Sequence, residues 1–302
     1  MLALYYPWYG LATWSDPVLS DRPGEPYDGS DPATLLRHVR WARDAGIDVL
    51  VVGWFGPSPS NITETNIAAL LRIAAAEGIR VAVLVEMDSD DFFPTLEAQR
   101  VATEHALAVH AQHPAYFRYE GKPVLFFWHP RGIWTDGSRA GRDGPPAVAA
   151  WRAFRDDVDP ARSSLWIAET EHAPYLEVFD GMFPYSIAWA RDPASQLRTF
   201  ATAARSFATR LGERRLWIAT AMPGYDDTGL LERANRFAVD RAGGDYYRRT
   251  FAGAVATAPD WINISSFNEW VEGHQIEPSM TYGDLYLDLT RELVSAWKRS
   301  PE

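Results

Sequence analysis

The feature that most constrains this chain is an alternation repeated along its whole length. Short runs rich in β-branched and apolar residues recur at residues 2–6, 48–54, 80–86, 123–128, 165–169, 181–185, 216–221 and 261–267. Nearly every gap between them holds a stretch with helical spacing, at 33–44, 64–77, 95–112, 147–157, 193–211, 244–258 and 283–298. Strands buried on both faces and separated by helical crossovers are the mark of a parallel sheet. Eight of them predict a closed (β/α)8 TIM barrel, with residues 1–302 as one domain. A doubly wound open sheet would carry a glycine-rich phosphate loop after its first strand, and none follows residue 6. Boundary signals support the reading: Asp31 can cap the first helix with Pro32 at its first position, and Ala45-Gly46 ends it. Residues 131–146 are rich in Gly, Arg, Asp and Pro and predict an exposed loop.

Composition narrows what such a barrel could bind. The chain has 40 acidic and 29 basic residues, a net charge of −11 and no basic run, which argues against nucleic acid and anionic membrane surfaces as partners. With no cysteine, thiolate nucleophiles, disulfides and cysteine metal sites are excluded. No stretch reaches the roughly 20 apolar residues of a membrane span. The opening Met1-Leu-Ala-Leu-Tyr-Tyr lacks a basic leader, so the expected location is cytoplasmic. Oligomeric state is left open. There are 13 Trp, 13 Tyr and 14 Phe, and several stand beside turn signals, where they could stack on sugar faces or simply fill space in a large barrel.

A TIM barrel places its chemistry at the C-terminal ends of the strands. The polar and aromatic residues there are Tyr5, Tyr6, Trp8 and Tyr9, then Trp54, Glu86, His129, Glu169, Glu171 and Tyr185. Tyr225, Asp226, Asp227, Asn268, Glu269 and Glu272 complete the set. Glu269 and Glu272 are the sharpest pair, two carboxylates three residues apart delivered by one apolar run. Glycosidic cleavage needs such a pair, one group to protonate the leaving oxygen and one to act on the other side of the anomeric carbon. The plainer alternative is that they open the next helix, where acids favour the dipole. Glu86, ending an apolar strand, would be partly desolvated and would bind a substrate hydroxyl or else pair with an arginine. The histidines form no His-Glu-x-x-His or His-x-His motif, and Asp88, Asp90 and Asp91 lack the rest of a calcium loop, so neither metal nor other cofactor is expected.

The chain resembles glycoside hydrolase family 99, the endo-α-mannosidase and endo-α-mannanase family. The resemblance is carried by Tyr5-Tyr-Pro-Trp-Tyr-Gly10, Ala45-Gly-Ile-Asp-Val-Leu-Val-Val-Gly-Trp54, His113-Pro-Ala-Tyr-Phe-Arg-Tyr, Gly121-Lys-Pro-Val, Pro223-Gly-Tyr-Asp-Asp-Thr228 and Gly243-Gly-Asp-Tyr-Tyr247. Its most specific piece is Ser266-Phe-Asn-Glu-Trp-Val-Glu-Gly-His-Gln-Ile-Glu-Pro278. The resemblance implies a retaining reaction in which the substrate's own 2-hydroxyl attacks the anomeric carbon to give a 1,2-anhydro sugar. Glu269 would deprotonate that hydroxyl, and Glu272 would be general acid and then base. It places Glu86, Trp54 and Tyr225 around the reactive sugar; Tyr6, Trp8, His129, Tyr185 and Asn268 are further expected substrate contacts at strand ends. Val271 and His274 depart from the residues the family often carries at those positions.

The expected partner is thus an oligo- or polysaccharide rich in α-mannose, cut at internal bonds. A cytoplasmic enzyme of this kind would suit an internal glycan such as a methylated mannose polysaccharide. Two other readings share the barrel: a hydrolase with a conventional carboxylate nucleophile on another α-glycan, and a non-catalytic glycan-binding or polysaccharide-biosynthesis barrel.

Overall fold

The computed structural model describes residues 1–135, 138–139, 141 and 143–300. Eight parallel strands form the barrel: β1 Leu2–Tyr5, β2 Val49–Trp54, β3 Arg80–Val85, β4 Lys122–Phe127, β5 Leu165–Glu169, β6 Gly181–Phe183, β7 Leu216–Ala221 and β8 Trp261–Ile264. Each pairs with its neighbours in chain order, and β8 returns to β1 through Leu2↔Asn263 and Ala3↔Ile264, so the sheet closes on itself. Around it stand α1 Pro32–Asp44, α2 Ile62–Glu77, α3 Leu96–Ala108, α4 Pro145–Val158, α5 Pro193–Leu211, α6 Asp245–Val255 and α7 Leu285–Arg299. The closed barrel expected from the alternation is the observed fold. Between β5 and β6 the crossover is only a 3-10 turn, Ala173–Glu177. Among the described residues no helix is long and apolar enough to cross a membrane.

Strand alternation splits the core in two. Leu50, Val52 and Trp54 of β2, Val81, Val83 and Val85 of β3 and Leu125 and Phe127 of β4 face the helices. Leu2, Leu4, Val49, Val51, Ala82, Leu84, Val124 and Phe126 fill the barrel. This is the period-two geometry of a strand buried on both sides. Helix starts follow their capping chemistry: Asp31 accepts from the Ala33 amide and Asn61 from the Thr63 amide, each cap worth about 1 kcal/mol.

Several boundaries shift by a few residues, and three segments depart further from expectation. The helix expected at 95–112 ends at Ala108 and continues as a 3-10 turn, His110–Gln112. The last strand stops at Ile264, because the chain turns there and the amides of Ser266 and Phe267 bond to His274 and Leu4 carbonyls. The segment 131–146 is partly ordered, with Trp134–Thr135 paired antiparallel to Ser138–Arg139; positions 136, 137, 140 and 142 lie outside the described residues.

Candidate active site

The turn after β8 is held against the end of β1 by one side chain. The Asn268 carboxamide accepts from the Tyr6 amide at 2.7 Å and donates to the Tyr6 carbonyl at 2.8 Å, satisfying two backbone groups in the interior. With Asn268 so fixed, the next residues project over the barrel mouth. Glu269 receives the Tyr9 hydroxyl at 2.6 Å and the Val271 amide at 3.1 Å, while its own amide donates to Ser266 Oγ at 2.7 Å. Glu272 meets Arg233 Nη1 at 2.6 Å on one oxygen. Its other oxygen receives the Tyr185 hydroxyl at 2.8 Å and lies 3.2 Å from His274 Nε2.

These surroundings drive the two carboxyls apart. Burial, and then the charge of Glu272, push Glu269 well above the usual carboxylate range. Burial also opposes ionisation of Glu272, yet His274, the Tyr185 hydroxyl and Arg233 outweigh it and hold that carboxyl low. The pair is therefore set to share one proton around neutral pH, with Glu269 the member that burial favours to carry it. Glu86, just past β3 and 7% exposed, donates its amide to the Trp54 carbonyl, while its carboxyl has no hydrogen-bond or ion-pair partner among the described residues. Burial raises its carboxyl well above the normal range, with the Glu269 and Glu169 charges adding to the effect. The arginine pair considered for Glu86 is not formed among the described residues, and burial at the mouth favours its neutral form.

The pocket these residues line is about 260 Å³, walled by Tyr6, Trp8, Glu86, Trp128, Tyr185, Arg233, Glu269, Val271 and Glu272. It has a deliberately bare floor position: a Cβ on Gly53 would lie 2.9 Å from Trp8, 3.0 Å from Glu86 and 3.1 Å from Tyr6. Two hollows adjoin it. One, about 270 Å³, shares Tyr185 and contains His129, Arg131, Glu169, Glu171 and Trp189. The other, about 550 Å³, is bordered by Phe55, Pro57, Phe92, Phe93 and Val101, and meets the pocket where the Phe55 ring tilts against Trp8. Trp8 lies 5.4 Å from Phe55, and Phe55 lies 4.7 Å from Phe92.

Of the expected site residues, Tyr6, Trp8, Glu86, Tyr185, Glu269 and Glu272 come together in the pocket. His129 sits in the neighbouring hollow, 3.2 Å from Asp88 and 3.8 Å from Glu169. Three placements need correction. Trp54 is fully buried on the helix side of β2, where its indole donates to Glu64 at 2.7 Å; strand alternation turns it away from the mouth and brings Phe55 there instead. Tyr225 lies behind His274, their rings 5.8 Å apart and nearly parallel, so it backs the site rather than lining it. Asn268 spends its amide on Tyr6 and is a positioning residue. The reading of the sequence missed Phe55, Trp128 and Arg233. Phe55 follows a strand that is buried throughout, so its sequence shows no alternation to fix which way the end faces, and Arg233 comes from the irregular stretch between Asp227 and Phe237, which carries no periodic signal.

The sequence model of glycosyl hydrolase family 99 matches residues 23–291. A mouse glycoprotein endo-alpha-1,2-mannosidase-like protein is 27% identical over 280 residues, covering 87% of this chain and 59% of its own length. The rat glycoprotein endo-alpha-1,2-mannosidase is 24% identical over 330 residues, covering 95% of this chain and 70% of its own. The solved family 99 endo-alpha-mannosidase of Bacteroides thetaiotaomicron superimposes with a TM-score of 0.80 at 24% identity, covering 99% of this chain and 97% of that one. A match spanning most of the chain, on a barrel whose mouth presents two oppositely poised carboxyls, makes this protein a glycoside hydrolase of family 99.

Proposed function

We propose that this protein is a retaining endo-α-mannosidase that hydrolyses internal α-mannosidic bonds with help from the substrate's 2-hydroxyl. The observation that carries the reading is the Glu269–Glu272 pair, which holds a single proton inside a pocket of sugar-ring size. In an α-mannoside the 2-hydroxyl and the leaving group lie on opposite faces of the ring, as displacement at the anomeric carbon requires. One carboxylate takes the 2-hydroxyl proton as O2 bonds to C1; the other carboxyl gives its proton to the departing glycosidic oxygen. The resulting 1,2-anhydro sugar is opened at C1 by water, whose proton returns to the second carboxylate while O2 recovers a proton from the first. Two inversions leave the configuration retained. The neighbouring hollows offer the glycan room to extend beyond the pocket, which suits internal bonds.

In this assignment Glu269 is the base and Glu272 the acid, so the proton must cross from Glu269 to Glu272 when substrate binds. Displacement of Arg233 from Glu272 by the incoming leaving-group sugar would remove one of the contacts that keep Glu272 ionised, and the 2-hydroxyl would stabilise a charged Glu269. The ionisation of the empty site favours a second reading with the two roles exchanged. Substrates with good and poor leaving groups separate the two. Loss of the acid is masked by a good leaving group, whereas loss of the base is not. Glu272→Gln should retain activity on an activated aryl α-mannoside-containing substrate and lose it on a natural linkage, with Glu269→Gln inactive on both. The reverse pattern would exchange the roles. Cleavage of a 2-deoxy or 2-O-methyl substrate would defeat 2-hydroxyl participation altogether.

The apolar hollow beside Trp8 extends the proposal to a methylated mannose polysaccharide whose 2-hydroxyls are free. O-methyl groups would lie against Phe55, Phe92 and Val101, of which Phe92 and Val101 are 45% and 43% exposed. If the purified protein cuts unmethylated α-mannan but no 3-O-methylated α-mannan, this part of the proposal is wrong.

A further inference from the structure

On the outer side of β2, away from the mouth, three side chains converge in a way the glycosidase reading does not use. Glu64 lies in the first turn of α2, His105 in the last turn of α3, and His110 in the 3-10 turn that follows. His105 Nε2 is 3.1 Å from Glu64 Oε1, and His110 Nε2 is 3.0 Å from Glu64 Oε2. One donor atom from each of the three lies within 4.8 Å of the other two. No lysine or arginine among the described residues pairs with Glu64, so its charge faces only the imidazoles and the Trp54 indole.

The geometry points to a site for one divalent transition-metal ion of the zinc type, held by Glu64, His105 and His110 on the flank of the barrel. Two imidazoles and a carboxylate are the donor set zinc takes in open sites, with water as fourth ligand. Zinc bonds of about 2.0–2.1 Å in a tetrahedron set neighbouring ligand atoms roughly 3.3 Å apart. The 3.0 and 3.1 Å separations run to the two different oxygens of Glu64, and the three donor atoms lie within 4.8 Å of one another, so the ion would draw the widest pair together by up to about 1.5 Å through side-chain rotation. Support behind the ligands is already in place: the Trp54 indole fixes the carboxylate, its ring stacks on His105 at 6.1 Å, and it meets His110 edge-on at 5.5 Å. Exposure divides as an open site requires, with His110 buried at 3% while Glu64 and His105 leave 18% and 28% of their side chains accessible for a water and for entry of the ion. The ion would tie α2 to α3 across β2. It would act as a structural clamp, since its ligands face the helix layer and not the sugar pocket. No motif search on the sequence finds it, because Glu64 precedes His105 by 41 positions and the two histidines are five apart.

Titration of metal-stripped full-length protein with zinc chloride by calorimetry tests this, alongside cobalt(II) absorption and thermal unfolding. Expected are one zinc per chain, a cobalt spectrum with the intense visible bands of four-coordination, and a zinc-dependent rise in unfolding temperature. His105→Ala, at the most accessible ligand, should bind at least ten-fold more weakly while its metal-free unfolding temperature stays near that of wild type. His110→Ala provides an independent second removal. Absence of zinc binding to wild type would overturn the proposal, leaving a hydrogen-bonded His–Glu–His cluster. Binding of undiminished affinity in both folded variants would overturn it equally, by placing the ion elsewhere.

Discussion

His274 is fully buried, reaches Glu272 at 3.2 Å and the Tyr185 hydroxyl at 2.9 Å, and rests on the Tyr225 ring. It therefore helps hold Glu272 ionised. The reactive form of the pair carries one proton, so it exists above the Glu272 titration and below that of Glu269. Removing His274 weakens what depresses Glu272, and the acidic limb of the kcat/KM profile should move up by roughly one pH unit in His274→Ala while the basic limb stays. A profile with an unmoved acidic limb would show that the imidazole only fills space. Glu269 leads to the opposite kind of prediction. Its folded carboxyl titrates above its unfolded value, so its favourable contribution is complete at acid pH and is lost as pH rises through the folded titration. At pH 7 an unfolded Glu269 would be ionised, whereas the folded one is buried and neutral. Glu269→Gln keeps an acceptor for Tyr9 and Val271 and cannot ionise, so it should abolish activity yet stabilise the fold at pH 7 by on the order of 2 kcal/mol. Chemical denaturation at pH 7 and pH 4 checks this, with the gain expected to shrink at the lower pH.

The strands were legible as elements from their apolar runs, but the direction of a side chain at a strand's end depends on register, which a run of consecutive apolar residues hides. Val49 through Val52 are all buried, so nothing in the pattern says which of Trp54 and Phe55 faces the sugar. A family resemblance placed Trp54 there, and the pleat puts it on the other side. Trp54→Phe should accordingly lower stability by about 1–3 kcal/mol through loss of the bond to Glu64 and of packing, with kcat/KM preserved. Phe55→Ala should do the reverse, raising KM several-fold with little effect on unfolding temperature. Comparable KM values for the two variants would contradict the register argument. Arg233 was illegible for a different reason. It reaches Glu272 from an irregular stretch, where neither periodicity nor turn chemistry predicts where a side chain ends.

At the scale of the molecule, the closed barrel was legible because eight strand signals and their helices leave few topologies that bury both faces. Closure itself rests on a short seam. β1 and β8 share two register pairs, with the Phe267 amide to the Leu4 carbonyl at 2.8 Å and the Asn268 clamp on Tyr6 completing the join. Asn268→Ala would strand two buried backbone groups at the same place where the catalytic turn is anchored. A loss of about 2–4 kcal/mol in denaturant unfolding, together with a fall in kcat, is the expected outcome. A fall in kcat without destabilisation would mean that the seam holds without it.

The bare floor at Gly53 bears on how such a barrel could change its diet. Three walls of the sugar pocket, Tyr6, Trp8 and Glu86, converge on the hydrogen that stands where any other residue would carry a methyl group. One alanine there would press on Trp8, Glu86 and Tyr6 at 2.9, 3.0 and 3.1 Å, so all three walls would have to give way. Residue 53 is thus a point from which the shape of the pocket can be changed from beneath, through its two aromatic walls and Glu86.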